Sequence, residues 1–599
     1  MSHHDHRRTS PIATPTDAAR RDLDHALDFD PADPLVGLTR EQLSGPQLER
    51  RTVLRLLAAA GMLTTAHLLP QTQRRAFAAE GGGTLNAGWS GVGEFTTLDP
   101  AQINQVLLFQ IASNVLSGLT HIDADLVAQP DLAIDWSPNE DGTEYTFDLR
   151  EGVTFHNGDA FTADDVIYTF ERSRDPAQSI HASVVENITG IEKLGPHKIA
   201  IKLAAPQASL LVKTLERSSG RAMTIVSRGA IESMGLEQYG LTPVGTGPFR
   251  ITEHQLGQSL TMEKFENYYD PERPKLDRVV IRPIIDAEPL AGAMEAGDID
   301  IIGGNAIPGE LIDRFESNPD LTVDIVAQPG FQSLWMNPHR EPFKVESFDK
   351  PVEELMKEKG FMVRLAIAKA IDRQQFIDQA QFGRGTPAYG TINPAMAFFF
   401  DESLAEGGVQ TFDVEEARRL LAEAGYPDGE GFPELDLLLI PSQRREGQVI
   451  KNMLKRNLNI DVRLDPKDFP VLIEDGDKMN YDLMRLGSGG DFDPDDGLVD
   501  WMRTDSKFNG RLRDTDEMPF GYWSDAAVDE LIAEQAVTAD PEKRRELVRE
   551  INAITSNKLA SAFIYHPADI LVYRNTVNFP PESRIPQLVD MDRITLSQG

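Results

Sequence analysis

The sequence predicts an α/β protein built from more than one lobe, and three observations predict it. Short β-rich runs alternate with capped helical runs, the pattern of strands and helices layered together. The chain has 599 residues, too many for one core on a prior of roughly 100–200 residues per domain. Beyond the N-terminal region no low-complexity linker and no fixed-period repeat interrupts the pattern. Lobes joined by crossing strands are therefore expected, not beads on a string.

Composition narrows the function classes. An apolar fraction of 40% and a charged fraction of 26% are those of a globular protein. The absence of cysteine excludes disulfides, thiolate zinc sites, Cys nucleophiles, Fe–S clusters and a lipid-modified N-terminal Cys. With 95 acidic and 59 basic side chains the formal net charge is -36. That balance argues against a nucleic-acid partner, which needs a broad phosphate-binding face. It would draw cationic ligands into any cleft.

The N-terminus reads as an address. Residues 1–49 are polar, lack an apolar period and are expected to be disordered. Arg50-Arg51 precede an uncharged stretch, Leu56 to Ala66, of 11 residues. That is well short of the roughly 20 needed to span a bilayer. Ala76-Phe77-Ala78 follows as a small-x-small cleavage pattern. Together these mark residues 1–78 as a cleaved signal region with a twin-arginine-like motif. Val53 stands where a Phe is usual, so the general secretory route stays open. His3, His4 and His6 would leave with the leader.

The elements follow in order. Thr143 to Leu149 alternates polar and apolar residues, a strand with one face buried, and Glu151-Gly152 turns it into Val153-Thr154-Phe155. Asn157-Gly158 is a second turn. Thr162 is an N-cap with Asp165 at N3, and Phe161 before it can staple to Val166. Further strands are expected at Val279-Val280-Ile281, Val323 to Val326, Leu435 to Ile440, Val462-Arg463-Leu464 and Phe563-Ile564-Tyr565. Further helices are expected to start at Asp413, with Glu415 facing Arg418 and Arg419, at Ser524, and at Asp540-Pro541.

Read in sequence, these pieces resemble a known family, the extracellular solute-binding proteins of family 5, the peptide- and nickel-type receptors of ABC importers. The most specific segment runs from Tyr145-Thr146-Phe147-Asp148-Leu149-Arg150-Glu151-Gly152-Val153-Thr154-Phe155-His156-Asn157-Gly158 through Phe161-Thr162-Ala163-Asp164-Asp165-Val166. Thr97 to Pro100, Val244 to Phe249, Lys275 to Val279, Ala296 to Asp300, Val363 to Arg373, Ala417 to Gly425 and Gly487 to Pro494 match in the family's order. The physical reading of most of them is ordinary architecture. Gly245 and Gly247 suit a tight turn before a strand; Val363–Ile371 suits a core-facing amphipathic helix.

The resemblance implies a two-lobed α/β fold, the periplasmic-binding-protein fold of type II, with an extra subdomain in lobe one. Lobe one would be 84–327 plus 566–599, with 121–235 as the subdomain, and lobe two 328–565. Ligand would lie between the lobes, with hinge strands near Val326 and Tyr565, and closure about that hinge would be the motion.

In Gly487-Ser488-Gly489-Gly490-Asp491-Phe492-Asp493-Pro494-Asp495-Asp496-Gly497 three glycines permit close backbone approach and four carboxylates follow. In peptide-binding members of the family an Asp of the matching motif receives the ligand's ammonium group, and Asp491 stands on that position. A desolvated cation needs a counter-charge with short charge-assisted bonds, and an ionised Asp supplies both. Ser488 stands where the family often has Trp, and the step from Asp491 to Pro494 is one residue shorter than in some members, so the rest of the pocket would be reshaped. Gly490 belongs to the same expected site. Trp89, Phe331, Trp335, Trp501 and Asn337 are candidate lining residues, since an indole can stack on a side chain or a cation; core packing is the competing reading for each aromatic. Arg340 and Arg384 could pair a carboxylate, although no motif marks them. The alternate aspartates also suggest a calcium loop, but Met502 stands where the bidentate Glu would be.

Enzyme readings lack parts: there is no Gly-x-Ser-x-Gly, no His-Glu-x-x-His and no Walker lysine motif. The expectation is a non-enzymatic, cofactor-free, soluble, non-lipidated and monomeric receptor in the periplasm. It would bind an oligopeptide or other amine-bearing solute and deliver it to ABC permease subunits of the inner membrane. The alternatives are a secreted hydrolase of peptides or glycans, or the same receptor carrying an opine, sugar or metal chelate.

Overall fold

Strand β1 (Thr84–Trp89) opens the first lobe, and β2 (Leu321–Ala327) leads out of it. The chain crosses at 328–330 into β3 (Phe331–Met336) of the second lobe. There β4 (Leu483–Ser488) and β5 (Ala562–His566) flank β3 on either side. Pro567 crosses back to β6 (Ala568–Arg574), which pairs antiparallel with β2. This computed structural model describes residues 82–103, 105–217, 221–303, 307, 309–490, 492–506, 508, 509 and 520–597. The predicted export signal at 1–78 and residue Asp491 lie outside the described residues.

Each lobe is a sheet with helices on it. The first sheet has seven strands in the order β2, β6, 301–303, β1, 278–283, 259–264, 249–255. β1 runs parallel to both of its neighbours, so their C-terminal ends point to one side, where ligands of such sheets gather. The second sheet has six strands in the order 386–387, β5, β3, β4, 435–439, 462–466. A separate four-stranded antiparallel sheet within 133–203 forms a subdomain core around Phe147, Phe155, Phe161 and Phe170.

The local signals explain most element starts. Helix α1 (Ala163–Ser173) begins with the expected capping box: Thr162 Oγ1 accepts from Asp164 N, and Asp165 Oδ2 accepts from Thr162 N at 2.9 Å. Such a cap stabilises by about 1 kcal/mol. Asp413 caps α3 (Val414–Glu423) and Asp540 caps α5 (Pro541–Asn557), as their sequences require. The helix expected at Ser524 starts one residue later: Asp525 caps α4 (Ala526–Val537), its carboxylate accepting from Val528 N. Val153-Thr154-Phe155 makes only an isolated bridge from Thr154 to Ala160. Helix α2 (Lys359–Ala370), read as amphipathic, is buried nearly all round, Arg364 included. Its guanidinium reaches the carbonyls of Met336 and Leu559, both at 2.7 Å. Gly245 and Gly247 are needed for close approach: a Cβ on either would stand 2.3 or 2.5 Å from the backbone of Val115.

Candidate functional site

The glycine-rich segment lies where the second lobe meets the outgoing crossing. β4 ends with Ser488 opposite Phe331 of β3. The chain then turns through Gly489 and Gly490. Gly490 has φ +84°, and a Cβ there would stand 1.3 Å from the Pro329 carbonyl oxygen. A Cβ on Gly487 would stand 2.2 Å from the Phe331 carbonyl oxygen. Both positions exclude any side chain. Gly489 has open space beside it, and its carbonyl is what matters. It accepts from Gln328 Nε2 at 3.1 Å and from Gln587 Nε2 at 2.6 Å. Gln587 also donates to Pro329 O at 3.2 Å. The C-terminal segment of the first lobe thus reaches both the crossing and the second lobe through one amide.

The residues after the glycines have internal tasks. Ser488 Oγ donates to Asp496 Oδ2 at 2.6 Å and accepts from Gly490 N at 2.9 Å, which fixes the turn. Asp493 takes a bidentate pair from Arg544 at 2.6 and 2.9 Å. Asp495 accepts from Gln535 Nε2 at 2.7 Å and lies 3.4 Å from the same arginine. Burial alone would raise the Asp495 carboxyl, but Arg544, Lys213 and Gln535 hold it below the usual range. Asp493 and Asp495, two of the aspartates a calcium loop would use, are thus engaged by Arg544 and Gln535.

The aromatic candidates and Asn337 are core residues here. Trp89 and Trp335 are 0% exposed, and Phe331 and Asn337 1%. Trp335 stacks on Trp501 with centroids 6.1 Å apart, and its indole N–H donates to Leu486 O at 3.1 Å. Phe331 meets Trp501 edge-on at 5.5 Å. The Trp89 indole N–H donates to Leu107 O at 3.0 Å, and its ring covers Gly303. The Asn337 amide donates to the carbonyls of Met479 and Tyr481 at 2.8 and 2.9 Å. The reason is the sheet: β3 is an interior strand covered on both faces, so neither parity of side chain points to open space. Phe331, Trp335 and Asn337 build the interior of the second lobe, and Trp89, at the end of β1, builds that of the first.

Contacts across the seam were not legible from motifs. Arg384 Nη2 donates to Asp313 at 2.7 Å and Glu316 at 2.9 Å, both on a first-lobe helix that ends at Glu316. Lys213 of the first lobe lies 3.8 Å from Asp500 of the second. Ala208 N donates to Ala536 O at 2.8 Å. A cavity of about 220 Å3 beside the crossings is lined by Gln328, Arg384, Tyr565 and Asp569. His566, the last residue of β5, has Nδ1 2.8 Å from Gly330 O and so ties one crossing to the other. Burial pushes its ring down to about 4.

Comparison with known proteins decides the family. The model of bacterial extracellular solute-binding proteins, family 5, matches residues 127–510. The chain belongs to this family. The glutathione-binding protein GsiB of Escherichia coli (strain K12) is 31% identical over 338 residues, 56% of this chain and 60% of that protein. The chain thus spans less than two thirds of the length of the curated relatives it matches. Among solved structures, the periplasmic binding protein DppA from Helicobacter pylori in complex with peptide STSA superposes with TM-score 0.65 at 21% identity, covering 88% of this chain and 100% of that one. AgaA from A. tumefaciens R10 in complex with agropinic acid superposes with TM-score 0.64 at 23% identity, covering 86% and 99%. These neighbours share the two-lobed α/β fold. Family 5 proteins are extracellular solute-binding proteins, and among the described residues no helix is long and apolar enough to cross a membrane.

Proposed function

We propose that this family 5 protein is an exported periplasmic receptor that shuts over an amine-bearing, peptide-like solute and hands it unaltered to an ABC permease. The observation that carries the reading is the pairing of two lobes through two short crossings with a glycine-rich segment packed on one of them. Such a joint lets rigid lobes rotate about a few residues. Asp491 is the proposed ammonium acceptor. Three of the four carboxylates after the glycines, Asp493, Asp495 and Asp496, are already committed to Arg544, Gln535 and Ser488. Relatives and neighbours are receptors for glutathione, a peptide and agropinic acid, which supports small polar cargo and binding without turnover. Affinity would come from desolvated polar contacts between preorganised lobes. Residues 1–78 are the proposed cleaved twin-arginine-type leader, and the mature chain acts as a soluble, non-lipidated monomer.

The test is calorimetric titration of the protein with unblocked di- to tetrapeptides and glutathione, with and without Asp491→Ala. Binding that drops at least tenfold in the variant supports the reading. Equal binding by both forms removes Asp491 from the pocket, and steady conversion of any peptide to products would overturn the receptor itself.

A further inference from the structure

One residue at the seam is held in a conformation that its type disfavours. Gln587 has φ +63°, in the left-handed region that residues other than glycine, asparagine and aspartate seldom adopt. Such a conformation persists only where the surroundings fix it, and here they do. The Gln587 N–H donates to Asp569 Oδ2 at 3.0 Å, and Arg584 Nη1 holds that same oxygen at 2.6 Å. The Gln587 carbonyl accepts from Gln110 Nε2, on the first-lobe helix Val106–Ala112, at 2.8 Å. Further along, Asn114 binds both Val589 O and Met591 N at 2.9 Å. The backbone of Gln587 is thereby fixed to the first lobe, and the residue is only 4% exposed.

That anchoring aims one side chain across the seam. Gln587 Nε2 donates to Gly489 O of the second lobe at 2.6 Å and to Pro329 O of the outgoing crossing at 3.2 Å. Gln328, in the crossing, gives Gly489 O a second donor at 3.1 Å. Both lone pairs of this carbonyl are then used, one by a residue that moves with the first lobe and one by a residue of the crossing. Rotation of the lobes about the crossings stretches the bond from Gln587 to Gly489. The bond to Pro329 lies at the pivot and is disturbed less.

We propose that Gln587 is a positioning residue that latches the seam: it sets how far the unliganded protein rests shut, and through the Gly489 carbonyl it holds the turn from which the chain runs on to Asp491. The second effect rests on the reading of Asp491 as the ammonium acceptor; the first does not. A hydrogen bond between neutral groups shifts an equilibrium by about two- to tenfold, which is the scale expected here. A cargo that favours the shut arrangement and a latch that favours it strengthen each other.

The test reads the lobes without cargo. The chain has no cysteine, so Glu288→Cys with Glu415→Cys places one spin label on each lobe, at side chains 79% and 90% exposed. Pulsed electron spin resonance gives the distances between the labels in this background and with Gln587→Leu, Gln587→Asn or Gln587→Glu added. Gln587→Leu removes the donor. Gln587→Asn suits the left-handed backbone but is one methylene too short, which separates reach from strain. Gln587→Glu keeps the length, but its carboxylate offers only acceptors to Gly489 O and Pro329 O until it is protonated. Expected is a fall of about fivefold in the ratio of short to long distances for Gln587→Leu and Gln587→Asn. For Gln587→Glu the fall should be larger at pH 8 and should recover towards the parent at pH 5, a rescue that a merely structural residue would not show. Unchanged distance distributions in all three variants overturn the latch, whatever cargo binds. So does a shift in Gln587→Glu that stays the same from pH 8 to pH 5. If the distributions shift as expected while Asp491→Ala leaves peptide binding unaltered, the latch stands and the ammonium-acceptor reading falls.

Discussion

Arg544 and Arg384 carry the same charge into very different surroundings. Inside the second lobe, Arg544 meets Asp493 and Asp495, whose side chains are 3% and 9% exposed. At the seam, Arg384 meets Asp313 and Glu316, whose side chains are 71% and 44% exposed. Breaking the first set would strand charges in a low dielectric, at several kcal/mol each. Breaking the second returns carboxylates to water that already surrounds them, at about 0–1 kcal/mol. The other contacts across the seam are few and mixed: Lys213 and Asp500 lie 3.8 Å apart, and Gly489 is held by side-chain amides. Interiors built to stay shut and a seam built to let go are what two lobes need in order to open as bodies.

The comparison breaks most readily at Arg544. Arg544→Ala is expected to cost on the order of 3–5 kcal/mol of stability, because Asp493 is left buried without a counter-charge. Urea unfolding measures it. A loss under about 1 kcal/mol would mean that water reaches this cluster, and the contrast with the seam would be gone.

How far these roles were legible follows from how local each is. The Thr162 cap needs four residues and could be read directly. The glycines at 487 and 490 could be read as sites of close approach, but what approaches them, Phe331 and Pro329, lies about 160 residues earlier. The task of Asp493 depends on Arg544, 51 residues on. No spacing rule links them. The aromatic candidates Trp335 and Phe331 went to the core because β3 lies between β4 and β5 with both faces covered, which its sequence Phe-Gln-Ser-Leu-Trp-Met does not announce, two of its six residues being polar. The helix at Val363–Ile371 was found, but its burial on all sides was not, because Arg364 looks like a polar face until its two carbonyl partners are seen.

A second way to sharpen the comparison is pH. His121, His156 and His566 are each pushed down to about 4, mainly by burial, from an ordinary 6.5. His156 and His121 belong to the first lobe and its subdomain, while His566 ties the crossings. A group held neutral in the fold stabilises fully above its unfolded value, and that contribution is lost as pH falls. Stability should therefore decline between pH 6.5 and 4, by up to about 3 kcal/mol per histidine. Unfolding midpoints across that range would show it. With His566→Gln the decline should shrink by one histidine's share. An unchanged slope would place the crossing with the solvent-facing seam, not with the buried interiors.

The smallest expected effect is at Arg384. Arg384→Gln removes the charge from the seam and leaves Asp313 and Glu316 in water, so global stability should move by less than about 1 kcal/mol. The position of the lobes should respond more than their stability does. A pair that spans two lobes and whose carboxylates already face water biases mainly the equilibrium between open and shut, and a bias of a few tenths of a kcal/mol visibly changes populations that lie near balance. Small-angle scattering of the unliganded variant should give a larger radius of gyration than the parent, and saturating cargo should restore the same closed value in both. If instead Arg384→Gln unfolds as readily as Arg544→Ala, the seam holds a structural pair, and the lobes are not free to part where the two crossings allow it.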